Sequence, residues 1–246
     1  MSEADRSAAE SDAIKQRYAR RRAIEVAGRY SVFQADDLLR AQANERAIVG
    51  LLKTIGLAQI ADKSMLEVGC GEGINLLQMI RLGFNPSLMV GNDLREDALV
   101  AARHTLPASV RFVAGEAGGA NFGHETFDVV MQSTVFSSIL DDAMQRAVAS
   151  RMWALTKPGG GVLWYDMAYD NPWNSDVRGV PLAMIRRLFP EGSITRRRVT
   201  LAPPLARRAA RVHPAVYGLL DVLPFLRSHL LCWIAKPPSA AQGRAS

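Results

Sequence analysis

The feature that most constrains this chain is a glycine-rich segment that directly follows a short apolar run. The apolar run ends at Val68, and glycine occupies positions Gly69, Gly71 and Gly73. Without side chains there, a ligand can lie against the backbone and meet the N–H groups that open the following helix. Asp93 ends the next apolar run, about 20 residues further on, where a carboxylate can accept hydrogen bonds from a ribose diol. Together these features predict a nucleoside-binding α/β domain.

The spacing of the glycines separates two kinds of nucleoside site. The dinucleotide pattern G-x-G-x-x-G would need a glycine where the chain has Ile74. The chain instead gives E-x-G-x-G-x-G, beginning at Glu67, and this pattern resembles motif I of the class I S-adenosyl-L-methionine (SAM) dependent methyltransferases. An acid at Glu67 suits the amino-acid end of SAM and would repel a pyrophosphate. A glycine turn with only a structural role is the remaining alternative.

Further along the chain, apolar runs alternate with helical patterns joined by short links. Such alternation predicts a parallel, doubly wound sheet. The predicted strands are residues 64–69, 88–92, 110–114, 127–132 and 162–166, and the predicted helices among them are 73–82, 95–104 and 141–155.

Three more segments extend the resemblance to the class I methyltransferases. Gly115-Glu116-Ala117 stands where that family usually has G-D-A, with glutamate in place of the commoner aspartate. Phe127-Asp128-Val129-Val130 resembles the F-D-x-V of its fourth strand, and Lys157-Pro158-Gly159-Gly160 resembles the K-P-G-G turn before its fifth. Outside this core, residues 165–172 and 200–208 resemble, more weakly, bacterial methyltransferases encoded near genes of surface-polysaccharide or other glycoconjugate synthesis.

The resemblance implies a Rossmann-like, mostly parallel sheet of seven strands in the order 3-2-1-4-5-7-6, flanked by helices. Residues 193–201 and 228–235 are then the last two strands, with a helical insertion at about 202–227. The expected domains are a disordered tail (1–12), an N-terminal helical lid (13–57), the methyltransferase domain (58–237) and a flexible tail (238–246).

The implied cofactor is SAM, which leaves as S-adenosyl-L-homocysteine (SAH). The glycines would form its floor, Asp93 would accept from the ribose hydroxyls, and Glu116 with Ala117 would bind the adenine. Helix capping by Asp93, an exposed loop position for Glu116 and a plain strand-end role for Gln132 and Ser133 are the structural alternatives. The predicted cofactor-binding residues are Glu67, Gly69, Cys70, Gly71, Gly73, Asp93, Leu94, Glu116, Ala117, Gln132 and Ser133.

Methyl transfer releases a neutral thioether, so the leaving group needs no proton and much of the rate can come from holding the nucleophile in line. A hydroxyl acceptor benefits from a general base. Asp166 and Asp170 follow the fifth strand, where the acceptor should lie, and are the candidate bases; each also fits a turn or cap role. The spacing of His, Cys and acidic residues predicts no metal site.

The composition of the chain limits which binding partners and which cellular location are expected. The net charge of +6 permits an anionic substrate or membrane surface, while the basic stretch lacks the aromatic residues typical of nucleic-acid binding, so no nucleic-acid partner is expected. Two cysteines, no signal peptide and no run of about 18 apolar residues fit a cytoplasmic protein, with contact at the inner membrane face as an option. The oligomeric state stays open.

The predicted function is methyl transfer from SAM to a small molecule or a glycan- or lipid-linked acceptor, at a hydroxyl oxygen. Two alternatives remain open: a non-catalytic SAM-binding or assembly subunit, and a C-methyltransferase that acts on a quinone-like ring.

Overall fold

A computed structural model describes residues 3–25, 33–116, 122–172 and 174–239. The helices are α1 (Glu3–Glu25), α2 (Ala35–Thr54), α3 (Ile74–Leu82), α4 (Glu96–Thr105), α5 (Asp142–Leu155), α6 (Leu182–Leu188), α7 (Pro203–Val212) and α8 (Pro214–Asp221). The strands are β1 (Met65–Val68), β2 (Met89–Asp93), β3 (Arg111–Ala114), β4 (Phe127–Ser133), β5 (Thr156–Met167), β6 (Ser193–Leu201) and β7 (Arg227–Ala235).

The strands form one seven-stranded sheet in the order β3-β2-β1-β4-β5-β7-β6, which confirms the predicted topology. The pairs from β3 to β5 are parallel, and β7 runs antiparallel to both of its neighbours. Every residue of β1 and β2 is buried, because helices cover both faces of a parallel sheet and its central strands meet no water. The carboxyl ends of β1 to β6 therefore meet at one edge, which is called the carboxyl edge below.

Side chains on the two faces of the sheet belong to two different apolar clusters, since successive strand residues point to opposite sides. Met65 and Leu163 join the cluster under α2 and α3. Their neighbours Leu66 and Trp164 join the cluster under α5 and α6. Each strand is thus fixed in register, because a slip of one residue would exchange its two faces.

The first helix begins much earlier than the sequence predicts. α1 starts at Glu3, so residues 3–12 of the stretch expected to form a disordered tail are helical. The reason is tertiary packing: Ser11, Ile14 and Arg17 are buried, with 5%, 6% and 7% of their surface exposed. The tail expected at 238–246 lies mostly outside the described residues.

Two other boundaries differ from the predicted ones. β5 begins at Thr156, so the Lys157–Gly160 segment lies within this strand and not before it, with a register shift opposite Phe127 and Val129. The sequence also predicts a helix over residues 177–189. The observed helix is shorter, because Pro181 holds an extended conformation at its N-cap and α6 begins only at Leu182.

The insertion before the last strand contains α7 and α8, each with a proline in its first turn. Leu201, Ala206 and Tyr217 form a small separate cluster under these helices. In the part of the chain that the structure describes, no helix is both long and apolar enough to cross a bilayer.

Candidate functional site

The glycine turn joins β1 to α3 in a backbone conformation that side chains disfavour. The φ angles are +69° at Gly69, +54° at Gly71 and +82° at Gly73. A Cβ on Gly69 would stand 2.4 Å from Val135 Cγ2, so this glycine allows close packing. A Cβ on Gly71 would meet only Arg95 Nη2, at 3.7 Å, because this glycine borders an open pocket.

Asp93 ties the end of β2 to this turn. Its Oδ2 accepts from Gly71 N (2.8 Å) and its Oδ1 accepts from Arg95 N (2.9 Å). Each carboxylate oxygen can accept a second hydrogen bond, so Asp93 can take hydroxyl donors from a ligand without releasing the turn. The carboxylate is therefore both a clamp on the loop and part of the pocket wall.

Glu67 lies fully buried beneath the turn. Its Oε1 accepts from Asn75 Nδ2 (2.7 Å), while its Oε2 is buried with no hydrogen-bond partner among the described residues. Burial raises the pKa of Glu67 to about 8; the bond from Asn75 opposes this rise and the nearby Asp93 charge adds to it. Glu67 is thus mainly protonated at neutral pH, with one oxygen still able to bond a polar group.

The pocket at this end of the sheet has about 900 Å³ of empty space, part of it open to solvent. Of the predicted cofactor-binding residues, Gly69, Gly71, Asp93, Leu94 and Glu116 line it together. Other lining residues were not predicted: Ile14, Tyr18, Asn92, Arg95, Val135 and Ser138, with apolar residues of α5. Asn92 and Arg95 flank Asp93 in sequence, and that position is the signal that points to them.

The helix α1 covers this pocket and is held by polar contacts. Ser11 Oγ donates to Glu116 Oε1 (2.6 Å). Arg17 Nη1 donates to Ser138 O (2.6 Å) and pairs with Glu10, whose Oε1 accepts from Leu140 N (2.8 Å). Because these partners belong to loops after β3 and β4, α1 closes the pocket from the side opposite the glycine turn.

The remaining predicted cofactor residues lie outside the pocket wall. Gly73 is the N-cap of α3, and Cys70 is buried with its sulfur toward the core, where burial raises the pKa of its thiol. Gln132 Nε2 donates to Tyr165 O (3.3 Å) and its Oε1 accepts from Val135 N (3.0 Å), so its side chain supports the loop after β4. Ser133 ends β4. Ala117 falls outside the described residues.

The two candidate bases make backbone contacts. Asp166 is fully buried; its Oδ2 accepts from Ser137 N (3.1 Å) and its Oδ1 from Met167 N (2.8 Å), and burial raises its pKa to about 6. Asp170 is exposed, and its Oδ1 accepts from Gly179 N (2.8 Å). Both carboxylates shape the carboxyl edge beside β5, and their role as bases stays a prediction.

Comparison with known proteins identifies the class. The family model of a methyltransferase domain matches residues 65–160. The chain is 32% identical over 138 residues to a phthiotriol/phenolphthiotriol dimycocerosates methyltransferase of Mycobacterium ulcerans, covering 54% of this chain and 49% of that protein. It is 32% identical over 137 residues to a fatty-acid O-methyltransferase of Mycolicibacterium smegmatis, covering 54% and 48%. The chain thus spans about half the length of these curated relatives.

Among solved structures, a phosphoethanolamine N-methyltransferase of Haemonchus contortus in complex with SAM superposes with a TM-score of 0.57. The two are 18% identical, over 78% of this chain and 52% of that one, so the likeness concerns the fold. The family match, the relatives and the fold support a class I SAM-dependent methyltransferase, with SAM as the cofactor of the class, and confirm the prediction from the glycine motif.

Proposed function

We propose that this chain transfers a methyl group from SAM to a hydroxyl oxygen of a lipid-like or glycan-linked acceptor. The observation that carries the proposal is the single pocket wall made by the glycine turn, Asp93 and Glu116. The open side of Gly71 leaves room for a ligand to lie against the turn. Asp93 would hold the ribose hydroxyls and Glu116 the adenine.

When bound, SAM supplies a methyl group on a sulfonium, whose departure leaves a neutral thioether. The protein's own contribution is to position the acceptor beside the methyl group and to exclude water from the pocket. Ile14, Ile139 and Val148 give the pocket an apolar wall, and α1 covers it. A nucleophile held in line gains an effective concentration of about 10⁵ M or more, and a base is needed only to take the hydroxyl proton.

The names of two relatives support the class of acceptor. One is named for phthiotriol dimycocerosates and the other for fatty acids, which are long apolar molecules. The resemblance of residues 165–172 and 200–208 to glycoconjugate methyltransferases supports the wider class of glycan-linked acceptors. Both would bring a hydroxyl or carboxyl oxygen to the carboxyl edge beside β4 and β5.

A membrane surface is part of the same proposal, because the insertion exposes a patch of apolar and basic side chains. The apolar members, each about 70% exposed, are Val212 (74%), Leu219 (71%), Val222 (69%) and Phe225 (73%). The basic members are the exposed Arg207, Arg208 and Arg211 of α7, for which the described residues offer no ion pair. This α7–α8 patch has the composition of a surface that docks on anionic lipids.

Substitution of Asp93 tests cofactor binding. Asp93→Ala should weaken SAH at least tenfold in a calorimetric titration, because hydrogen bonds to a carboxylate contribute about 1.5–3 kcal/mol each. Asp62→Ala, at an exposed aspartate, is the matched control and should bind SAH as the parent does. Parent protein that binds neither SAM nor SAH at millimolar concentration would end the proposal.

The acceptor is found by product analysis. Protein and methyl-labelled SAM are incubated with a lipid and metabolite extract, and the labelled product is identified by mass spectrometry. An oxygen-linked label on a lipid or glycolipid supports the proposal. SAM binding with no labelled product from any fraction would instead favour a non-catalytic SAM-binding subunit.

A further inference from the structure

A second cavity lies between α2, β6 and the start of β7. The wall residues that matter here are Arg46, Arg197, Arg198, Thr200, Asp221 and Arg227. β6 ends at Leu201 and β7 starts at Arg227, so the cavity opens at the carboxyl edge of the sheet, as the SAM pocket does. It has about 950 Å³ of empty space, part of it open to solvent.

The cavity is strongly basic. Four arginines and one aspartate are among its lining residues, and the guanidinium groups of Arg46, Arg197 and Arg227 outnumber the one carboxylate. Two of the arginines are fixed in place: Arg197 Nη2 donates to Gly50 O (2.9 Å) and to Thr54 Oγ1 (2.7 Å), and Arg227 Nη1 donates to Arg198 O (2.9 Å). Fixed guanidinium groups lose little further freedom when they bind an anion.

Arg46 retains hydrogen-bonding capacity. It is exposed and makes no hydrogen bond or ion pair among the described residues, so it can turn N–H donors toward a ligand. The side chain of Arg198 leaves β6 on the opposite face from that of Arg197, and its Cζ lies 5.2 Å from the centre of the Tyr169 ring.

The wall also contains buried polar atoms without partners in the described part of the chain. Arg227 Nε and Asp221 Oδ1 are two of them, although the two side chains pair through Nη2 and Oδ2 at 3.3 Å. Buried polar groups are nearly always bonded, so a donor and an acceptor left together indicate a polar occupant of this cavity.

Side chains connect this cavity to the end of β4. Thr200 Oγ1 and Tyr165 Oη are 2.7 Å apart, and Tyr165 O accepts from Gln132 Nε2 (3.3 Å) and from Thr134 N (2.8 Å). β4 and β6 are separated by β5 and β7. Three strand spacings of about 4.8 Å place the cavity roughly 14 Å along the carboxyl edge from the end of β4.

We propose that this cavity binds a phosphate group of the methyl acceptor, held roughly 14 Å from the atom that is methylated. The inference rests on the proposed function, since it names a property of that acceptor. Arginines from α2, β6 and β7 approach from different elements, which suits a tetrahedral anion with three free oxygens better than a planar carboxylate. The acceptor is then an elongated phosphate ester, with its hydroxyl at one end of the carboxyl edge and its phosphate at the other.

Calorimetric titration with octyl phosphate, below its micelle concentration, tests the proposal on the full chain saturated with SAH. Saturable binding is expected, weakened at least tenfold by Arg197→Gln and by Arg46→Glu. Arg187→Glu, at an exposed arginine of α6, is the matched charge control and should bind as the parent does. Inorganic phosphate is the second ligand. If it binds as tightly as octyl phosphate, the site recognises the phosphate group alone. If it binds more weakly, the octyl group of octyl phosphate also contributes to binding.

Three results would overturn the proposal. They are no saturable binding at 10 mM octyl phosphate, an equal loss in Arg187→Glu, and displacement of SAH by octyl phosphate, which would place the anion in the first pocket. SAH affinity, measured alone on each variant, reports folding and separates the two proposals. Protein that binds SAH but no phosphate refutes this inference only, whereas protein that binds no SAH refutes the proposed function.

Discussion

Glu67 is the residue whose chemistry departs furthest from its ordinary behaviour. It lies under the glycine turn with no surface exposed, close to the carboxylate of Asp93. Keeping the proton there avoids two buried negative charges side by side. The neutral acid also leaves Asp93 as the charged group that faces the pocket, which favours hydroxyl donors on a ligand at that position.

This burial predicts a pH dependence of stability. The pKa of Glu67 rises from 4.5 in the unfolded chain to about 8 in the folded one, so between these values the folded state holds the extra proton. Its contribution is fully present below pH 4.5 and is lost as the pH rises through 8, with a slope of at most about 1.4 kcal/mol per pH unit. Glu67→Gln, which cannot ionise, should flatten this part of the profile.

Urea unfolding from pH 4.5 to 8.5 checks that expectation on the ligand-free protein. The free energies of unfolding of parent and Glu67→Gln should be similar at the acid end, with the variant the more stable of the two above pH 8. Glu191→Gln, at an exposed position, should follow the parent throughout. Parallel curves for the parent and Glu67→Gln would show that Glu67 ionises normally.

At the scale of elements, α1 decides whether the pocket beside the glycine turn, the proposed SAM pocket, is closed. Arg17 anchors α1, because its guanidinium donates to Ser138 O and pairs with the carboxylate of Glu10. Both interactions are largely shielded from solvent. Arg17→Ala should loosen α1, since removal of one partner from a buried ion pair costs about 3–5 kcal/mol. The expected result is faster amide exchange in residues 8–20 and faster SAH release, with the strands of the sheet still protected.

Lys15→Ala is the control for that experiment, because Lys15 pairs only with Asp12 on the same exposed helix surface in the described contacts. Hydrogen exchange followed by mass spectrometry gives the protection of α1, and stopped-flow displacement gives the SAH release rate. Equal protection of α1 in Arg17→Ala and in the parent would mean that apolar contacts through Ile14 hold the helix alone.

The sequence predicts the sheet and an N-terminal helical lid, but not the contacts by which the lid docks, and α1 shows why. The central strands carry a local signal, because β1 and β2 are buried along their whole length, and Gly69 follows β1 while Asp93 ends β2. α1 has a polar sequence, and its docking depends on pairs 105 and 130 residues apart, Ser11 with Glu116 and Glu10 with Leu140. No local pattern contains such a pair, so Ile14 and Tyr18 could not be assigned to the pocket beforehand.

The same distinction holds within the site. Gly69, Gly71, Asp93 and Glu116 were predictable because motif spacing fixes where strands end. Asp166 was predicted only by its place after a strand, and the structure shows its carboxylate bonded to backbone N–H groups that the sequence does not reveal. A side chain's position along a strand can thus be predicted, but its hydrogen-bond partners cannot.

In the whole molecule, both cavities and the α7–α8 patch lie around the carboxyl edge. The SAM pocket stands over β1 and β2, the arginine cavity over β6 and β7, and the insertion that bears the patch connects β6 to β7. An acceptor anchored in a bilayer would meet the patch first and then the arginine cavity. Under the proposed function, membrane contact would be a step in the delivery of the acceptor.

Vesicle binding tests that step. The protein should sediment with vesicles that contain anionic phosphatidylglycerol and much less with pure phosphatidylcholine. Replacing Arg207, Arg208 and Arg211 by Gln should weaken binding about 100-fold, since each basic side chain near such a surface contributes about 1 kcal/mol. The double variant Leu219→Ser and Phe225→Ser should weaken binding to both kinds of vesicle, because these side chains would enter the apolar boundary of the bilayer.

Val100→Ser, at a half-exposed valine of α4, is the control and should leave vesicle binding unchanged. Arginine variants that bind anionic vesicles as tightly as the parent does would exclude the patch as the docking surface.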